Sequence, residues 1–327
     1  MAISRALPAL ALALVLAAPA AAQEKVVFGT NWKAQPEHGG YYHAVAEGIY
    51  KRYGLDVTIR PGGPQVNHSQ LLAAGKIDFN MGSALNGAFN YVQNKVPVNV
   101  VAAIFQRDPQ VFIAHPGQGN DTLQALKGKP ILISQGARLT YWPWMKVAFG
   151  YTDDQIRVYT FNPAPFLADK AMVQQSYMSS EPYKIKQLGG FEPVVIPFYE
   201  YGWDTYATTI ECLAKWVIEK PDTVQRFVNA TIEGWYGYLY GDPAKAHVMI
   251  KQDNPDMTDD QIAFSRDALK RYGIVDSGDA KTMGIGAMTE ARWSSFFKKM
   301  ADAGVFPADL DWRQAMRLQF VNKKVGM

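Results

Sequence analysis

Apolar residues fill positions 6–22 almost without a break, behind the single Arg5, and the run closes on Ala20-Ala21-Ala22 before Gln23. A positive start, a short apolar stretch and small terminal residues form the pattern of an export signal peptide. The run is also short for a membrane span, which takes roughly 20 residues. Cleavage after Ala22 is predicted, leaving a mature chain that starts at Gln23.

From residue 26 the pattern changes to short apolar runs separated by helical stretches. Strands are predicted over 26–29, 55–60, 77–81 and 98–105, with helices over 41–53, 65–74 and 84–94 between them. The 98–105 run is apolar at all but one position, as in a strand covered on both faces. A second series repeats the alternation, with strands over 131–134, 157–161 and 192–198. Strands alternating with helices predict an α/β fold, each sheet mainly parallel and covered by helices.

After Lys215 helical signals dominate. Pro221 fits a first helical position, Thr258 to Gln261 fits a capping box, and Thr289-Glu290 opens a further helix. Trp293, Phe296, Phe297 and Met300 recur at helical spacing up to Gly304. Two extended segments, 111–114 and 206–210, lie between one α/β series and the next and are predicted to carry the chain across. Domain 1 is then discontinuous, residues 24–112 and 212–327, with domain 2 inserted as 113–211. Two crossings make a hinge, and a cleft between two such domains closes on a small molecule.

The length of 327 residues supports two domains, because single cores stop growing below that size. A formal net charge of +3 with no basic run argues against a nucleic-acid face. Cys212 is the one cysteine, which excludes an internal disulfide and a Cys-rich metal site. No two of the five histidines stand at i, i+4, so neither a metal site nor a cofactor is expected.

Open α/β sheets bind ligands at the carboxyl ends of their strands, which singles out the turns that follow them. Asn31 and Trp32 follow the first strand and offer an amide and a flat face for stacking. His38 and Tyr42 come next, beside two glycines at a helix start. Ser83 and Ala84 sit in a small-residue turn where backbone amides can approach an acceptor, and Ser134 sits in a weaker version of it. Gln106 follows the 98–105 strand. Tyr141 and Trp142 supply an opposing aromatic wall, whereas Trp144 reads as core. Glu181, in Ser179-Ser180-Glu181-Pro182-Tyr183, can accept two hydrogen bonds or pair with a cationic ligand group. Each has a plainer alternative: a turn Asn, a core Trp, a solvated His, a Ser cap, a Glu in a first helical turn.

Thr30-Asn31-Trp32, His38-Gly39-Gly40-Tyr41-Tyr42, Ala46-Glu47-Gly48-Ile49-Tyr50, Tyr53-Gly54-Leu55-Asp56-Val57, Pro61-Gly62-Gly63 and Gly75-Lys76-Ile77-Asp78-Phe79 together resemble the opening of the NMT1/THI5-like family. Its bacterial members are mostly substrate-binding proteins of ABC importers, several associated with thiamine-pyrimidine precursors and relatives with riboflavin, sulfonates or nitrate. The resemblance implies a type II periplasmic-binding-protein fold and a monomer in the periplasm. It further implies a small nitrogenous heteroaromatic ligand, an ABC permease with its ATPase as partners, membrane contact only through that permease, and no catalysis. The eukaryotic branch of the same family makes the thiamine pyrimidine from pyridoxal phosphate and its own histidine. That branch carries a cysteine-rich motif, which one cysteine does not supply.

Overall fold

The computed structural model describes residues 22–327, so all but the last residue of the expected signal segment lies outside it. Ten strands form two sheets of five. The first sheet holds β1 (Glu24–Gly29), β2 (Leu55–Arg60), β3 (Phe79–Met81), β4 (Val98–Phe105) and β10 (Ala207–Leu213), in the order β2-β1-β3-β10-β4. β1 runs parallel to β2 and β3, and β10 runs antiparallel to β3 and β4. The second sheet holds β5 (Gln110–Ala114), β6 (Ile131–Ile133), β7 (Ile156–Val158), β8 (Val173–Tyr177) and β9 (Val194–Pro197), in the order β7-β6-β8-β5-β9.

β4 is buried at every residue, as its unbroken apolar run requires. Helices around the sheets include α1 (Gly39–Ala46), α2 (His68–Ala73), α3 (Leu85–Gln93), α4 (Gln135–Leu139), α5 (Trp142–Phe149), α6 (Glu181–Gly189), α7 (Pro221–Tyr240), α8 (Asp259–Arg271) and α9 (Glu290–Asp302). Thr258 and Thr289 cap α8 and α9, each side chain accepting the N–H three residues on. The helix expected over 41–53 is broken at Gly48, whose φ of +65° ends α1 and starts a separate turn.

Both segments expected as crossings prove to be ladder strands. Residues 111–114 lie in β5, hydrogen-bonded to β8 on one side and β9 on the other. Residues 207–210 lie in β10, between β3 and β4. The chain crosses instead at 106–109 and returns at 198–206. Val111 to Ala114 is an unbroken apolar run that fits a covered strand, whereas Gln106-Arg107-Asp108-Pro109 is polar and Pro109 has no N–H for a ladder.

α1 and α7 touch backbone to side chain. A Cβ on Gly40 would overlap the Trp235 indole, and one on Gly234 would meet Ala44. Among the described residues no helix is long and apolar enough to cross a membrane.

Candidate ligand-binding cleft

Strand ends from both sheets converge on one cleft. The end of β1 delivers Asn31 and Trp32, the end of β3 delivers Ser83, and the start of α2 delivers His68. From the second sheet come Gln110 on β5, Ser134 after β6, Gln175, Ser176 and Tyr177 on β8, and Glu181 at the start of α6. The loop 61–66 closes one side. Gly62 fits there because any side chain would run into the Thr30 carbonyl.

Asn31 Nδ2 donates to the Gly82 carbonyl at 3.2 Å and to Ser83 Oγ at 3.4 Å, which leaves its amide oxygen for the cleft. Trp32 lies in an offset stack on Tyr159, with centroids 6.0 Å apart and planes 19° apart, and meets the edge of Phe161. Gln175 Oε1 accepts from the Ser134 N–H and from the Tyr141 hydroxyl. Gln35 Oε1 and Gln110 Oε1 are buried without a partner among the described residues. Among the described residues no lysine or arginine lines the cleft.

Glu181 is buried, and its carboxylate is already served. Its Oε2 accepts from the Tyr177 N–H at 2.9 Å and the Ser176 hydroxyl at 3.1 Å, and its Oε1 accepts from Tyr159 at a longer 3.4 Å. Burial raises its pKa above the ordinary carboxyl value, with these bonds opposing the shift. Next to it, burial pushes Glu37 up to about 8; its Oε1 accepts from Ser179 of the opposite side, and its Oε2 has no partner among the described residues.

Of the expected residues, Asn31, Trp32, Ser83, Tyr141 and Glu181 are brought together at the cleft. The other five lie elsewhere. His38 is buried beneath the site, and desolvation lowers it to about 3. Tyr42, one helical turn on, donates its hydroxyl to Asp253 at 2.6 Å. Ala84 is spent in a backbone bridge to Ala207. Gln106 donates to the carbonyls of Ala103 and Ala287, inside the first domain's packing. Trp142 faces away along α5, donating to Asp153 and packing on Tyr151, and Trp144 is core as expected. Tyr42 on α1 faces the helix that ends at Asp253, and Trp142 faces the 151–153 turn, so both side chains go to packing partners instead of the cleft.

Several lining residues were not foreseen, chiefly Gln35, His68, Gln110, Gln175, Ser176 and Tyr177. One signal was available for two of them. Gln174-Gln175-Ser176 is a polar run inside a buried strand, and interior strands carry polar residues where they face something polar.

The NMT1/THI5 like family model matches residues 35–246. Riboflavin-binding protein RibY of Chloroflexus aurantiacus is 22% identical over 306 residues, covering 91% of this chain and 86% of RibY. The 4-amino-5-hydroxymethyl-2-methylpyrimidine phosphate synthase THI11 of Saccharomyces cerevisiae is 28% identical over 110 residues, 33% of this chain. The chain thus spans about a third of the length of the fungal synthases it matches, 32% for THI11. Among solved structures, the periplasmic aliphatic sulphonate binding protein SsuA from Escherichia coli aligns with a TM-score of 0.63 over 90% of this chain and 92% of SsuA, at 13% identity. That likeness establishes the periplasmic-binding-protein fold.

Proposed function

The chain belongs to the NMT1/THI5-like family, and we propose that it is the periplasmic solute-binding protein of an ABC importer, specific for a small nitrogenous heteroaromatic compound such as a thiamine pyrimidine precursor. The observation that carries this reading is the chemistry of the cleft wall. It combines Trp32, Tyr141 and Tyr177 with amide, hydroxyl, imidazole and carboxyl groups, and among the described residues it holds no lysine or arginine. An anion such as sulfonate or nitrate calls for positive charge or convergent donors, while a neutral ring calls for flat faces and acceptors. In this reading the two domains capture the ligand, close about the hinge at 106–109 and 198–206, and dock on the permease. A scavenger of this kind binds in the micromolar range or tighter, about −8 kcal/mol or better.

A flavin is the second reading. Its support is the match to RibY along most of the chain and a groove of about 440 Å³ that continues from the cleft. The groove shares Val66, His68, Ser83, Gly136 and Thr140 with the cleft and leaves room for a polar tail beyond the ring. A pyrimidine-forming enzyme ranks below both, since Cys212 is buried and the match to the synthases is local. Mass spectrometry of the small molecule that co-purifies with protein from the periplasm tests the proposal. A pyrimidine or flavin is expected, and a sulfonate or nitrate would refute it.

A further inference from the structure

His68 opens α2 and is 8% exposed, with its ring on the cleft wall. Its Nδ1 lies 2.7 Å from Asn80 Oδ1 on β3. Asn80 Nδ2 in turn donates to Glu211 Oε2 on β10, also at 2.7 Å. The same Glu211 carboxyl accepts from the Tyr91 hydroxyl at 3.0 Å and from the Thr209 hydroxyl at 3.1 Å. The group is packed tightly under the cleft floor: a Cβ on Gly82 would collide with Glu211 and Thr209.

The order of donors and acceptors along this chain has one consequence at its outer end. A carboxylate only accepts, so Asn80 turns its NH₂ towards Glu211 and its oxygen towards His68. An amide oxygen cannot donate, so the imidazole proton sits on Nδ1. Should Glu211 hold a proton, the hydroxyl oxygens of Tyr91 and Thr209 can accept it, and Asn80 is not forced to turn. Burial lowers the His68 pKa to about 4, which keeps the ring neutral. Nε2 is then a lone pair, and no group among the described residues donates to it.

We infer that the Glu211–Asn80–His68 relay is a specificity device that presents His68 Nε2 to the cleft as a fixed acceptor, so the site selects a ligand carrying an N–H or O–H donor at that point. The inference rests on the proposed function and deepens it. An exocyclic amino group of a pyrimidine or the imide N–H of a flavin meets the requirement. Nitrate and an alkylsulfonate carry only acceptors and meet a lone pair instead.

The test joins a tautomer measurement to a binding series. Long-range ¹H–¹⁵N spectra of ¹⁵N-histidine-labelled protein, taken without ligand, distinguish the two neutral imidazole forms, and His68→Phe assigns the signal. Calorimetry then compares 4-amino-5-hydroxymethyl-2-methylpyrimidine, riboflavin, methanesulfonate and nitrate on wild type, His68→Phe and His68→Gln. A protonated Nδ1 with a bare Nε2 is expected. Affinity for the ring compound that binds should fall roughly tenfold in His68→Phe and partly recover in His68→Gln, whose carbonyl accepts. A proton on Nε2 would overturn the inference whichever ligand binds, and so would ring binding unchanged in His68→Phe. The expected tautomer together with binding of methanesulfonate or nitrate, and of neither ring, would overturn the proposed function itself and the ligand class inferred from it.

Discussion

Glu181 illustrates what a contact list changes at the scale of one residue. By sequence it reads as an acceptor for a ligand amino edge or a partner for a cationic group, yet Tyr177, Ser176 and Tyr159 already donate to it. Its larger role is therefore to hold the β8–α6 junction, with Oε1 the oxygen left more open to the cleft. Glu181→Ala strands a buried N–H and hydroxyl, so urea denaturation should show a loss of about 1–3 kcal/mol. Glu181→Gln keeps an acceptor for Tyr177 and a donor for Tyr159, and should cost less than about 1 kcal/mol. Equal stability of both variants would mean the bonds carry nothing. Trp32 should report on binding, because its free face lines the cleft; titration of the bound ring compound should change indole emission, and Trp32→Phe should remove most of that change. Asn31, Trp32, Ser83 and Glu181 were legible because each follows a strand end or opens a helix. His68 and Gln110 were not, since their approach depends on how the 61–66 loop folds back and on the β5 register against β8.

At the scale of elements, the close approach of α1 and α7 makes a sharp test. Gly40→Ala places a methyl inside the Trp235 ring, so overpacking should cost about 1–3 kcal/mol by urea denaturation. Gly87→Ala is the control: it lies within α3 with nothing within 4 Å of the new methyl, and the better helix former should stabilise by up to about 1 kcal/mol. A loss at Gly87 equal to that at Gly40 would contradict the packing described. Strand β4 and the caps at Thr258 and Thr289 could be read directly, since apolar continuity and cap chemistry are local. β5 and β10 were misplaced as links because pairing partners distant in sequence decide whether an extended run joins a sheet. α1 was drawn too long because helical periodicity continues through Gly48 while its backbone does not.

For the whole molecule, four hydrogen bonds besides the one from Ser179 to Glu37 join the two sides of the cleft: Gln135 N–H to Pro64, Gln65 to Tyr159, Asn86 to Thr140 and Asn90 to Leu139. Four of the eight partners are backbone carbonyls, so this closed arrangement left no trace in the residue pattern, although the two-sheet plan did. Burial also gives the molecule a pH dependence. Glu211 and Glu37 are pushed up to about 7 and 8 from 4.5, so their protonated forms favour the fold and that stability is lost as pH rises through those values. His38 and His68, lowered from 6.5 to about 3 and 4, act in the opposite sense and only below about pH 6.5. Melting temperature should therefore fall between pH 6.5 and 8, and Glu37→Gln should flatten the fall; a rise over that window would contradict the burial of these carboxyls. On the proposed function, incubation with iron and pyridoxal phosphate should yield no pyrimidine. The most direct test of the central claim is calorimetric titration of the purified mature protein, freed of bound ligand by unfolding and refolding, with a heteroaromatic set and an anion set side by side. Saturable micromolar or tighter binding of 4-amino-5-hydroxymethyl-2-methylpyrimidine or riboflavin, with no heat from methanesulfonate or nitrate, is the expected result, and the reverse preference would contradict it.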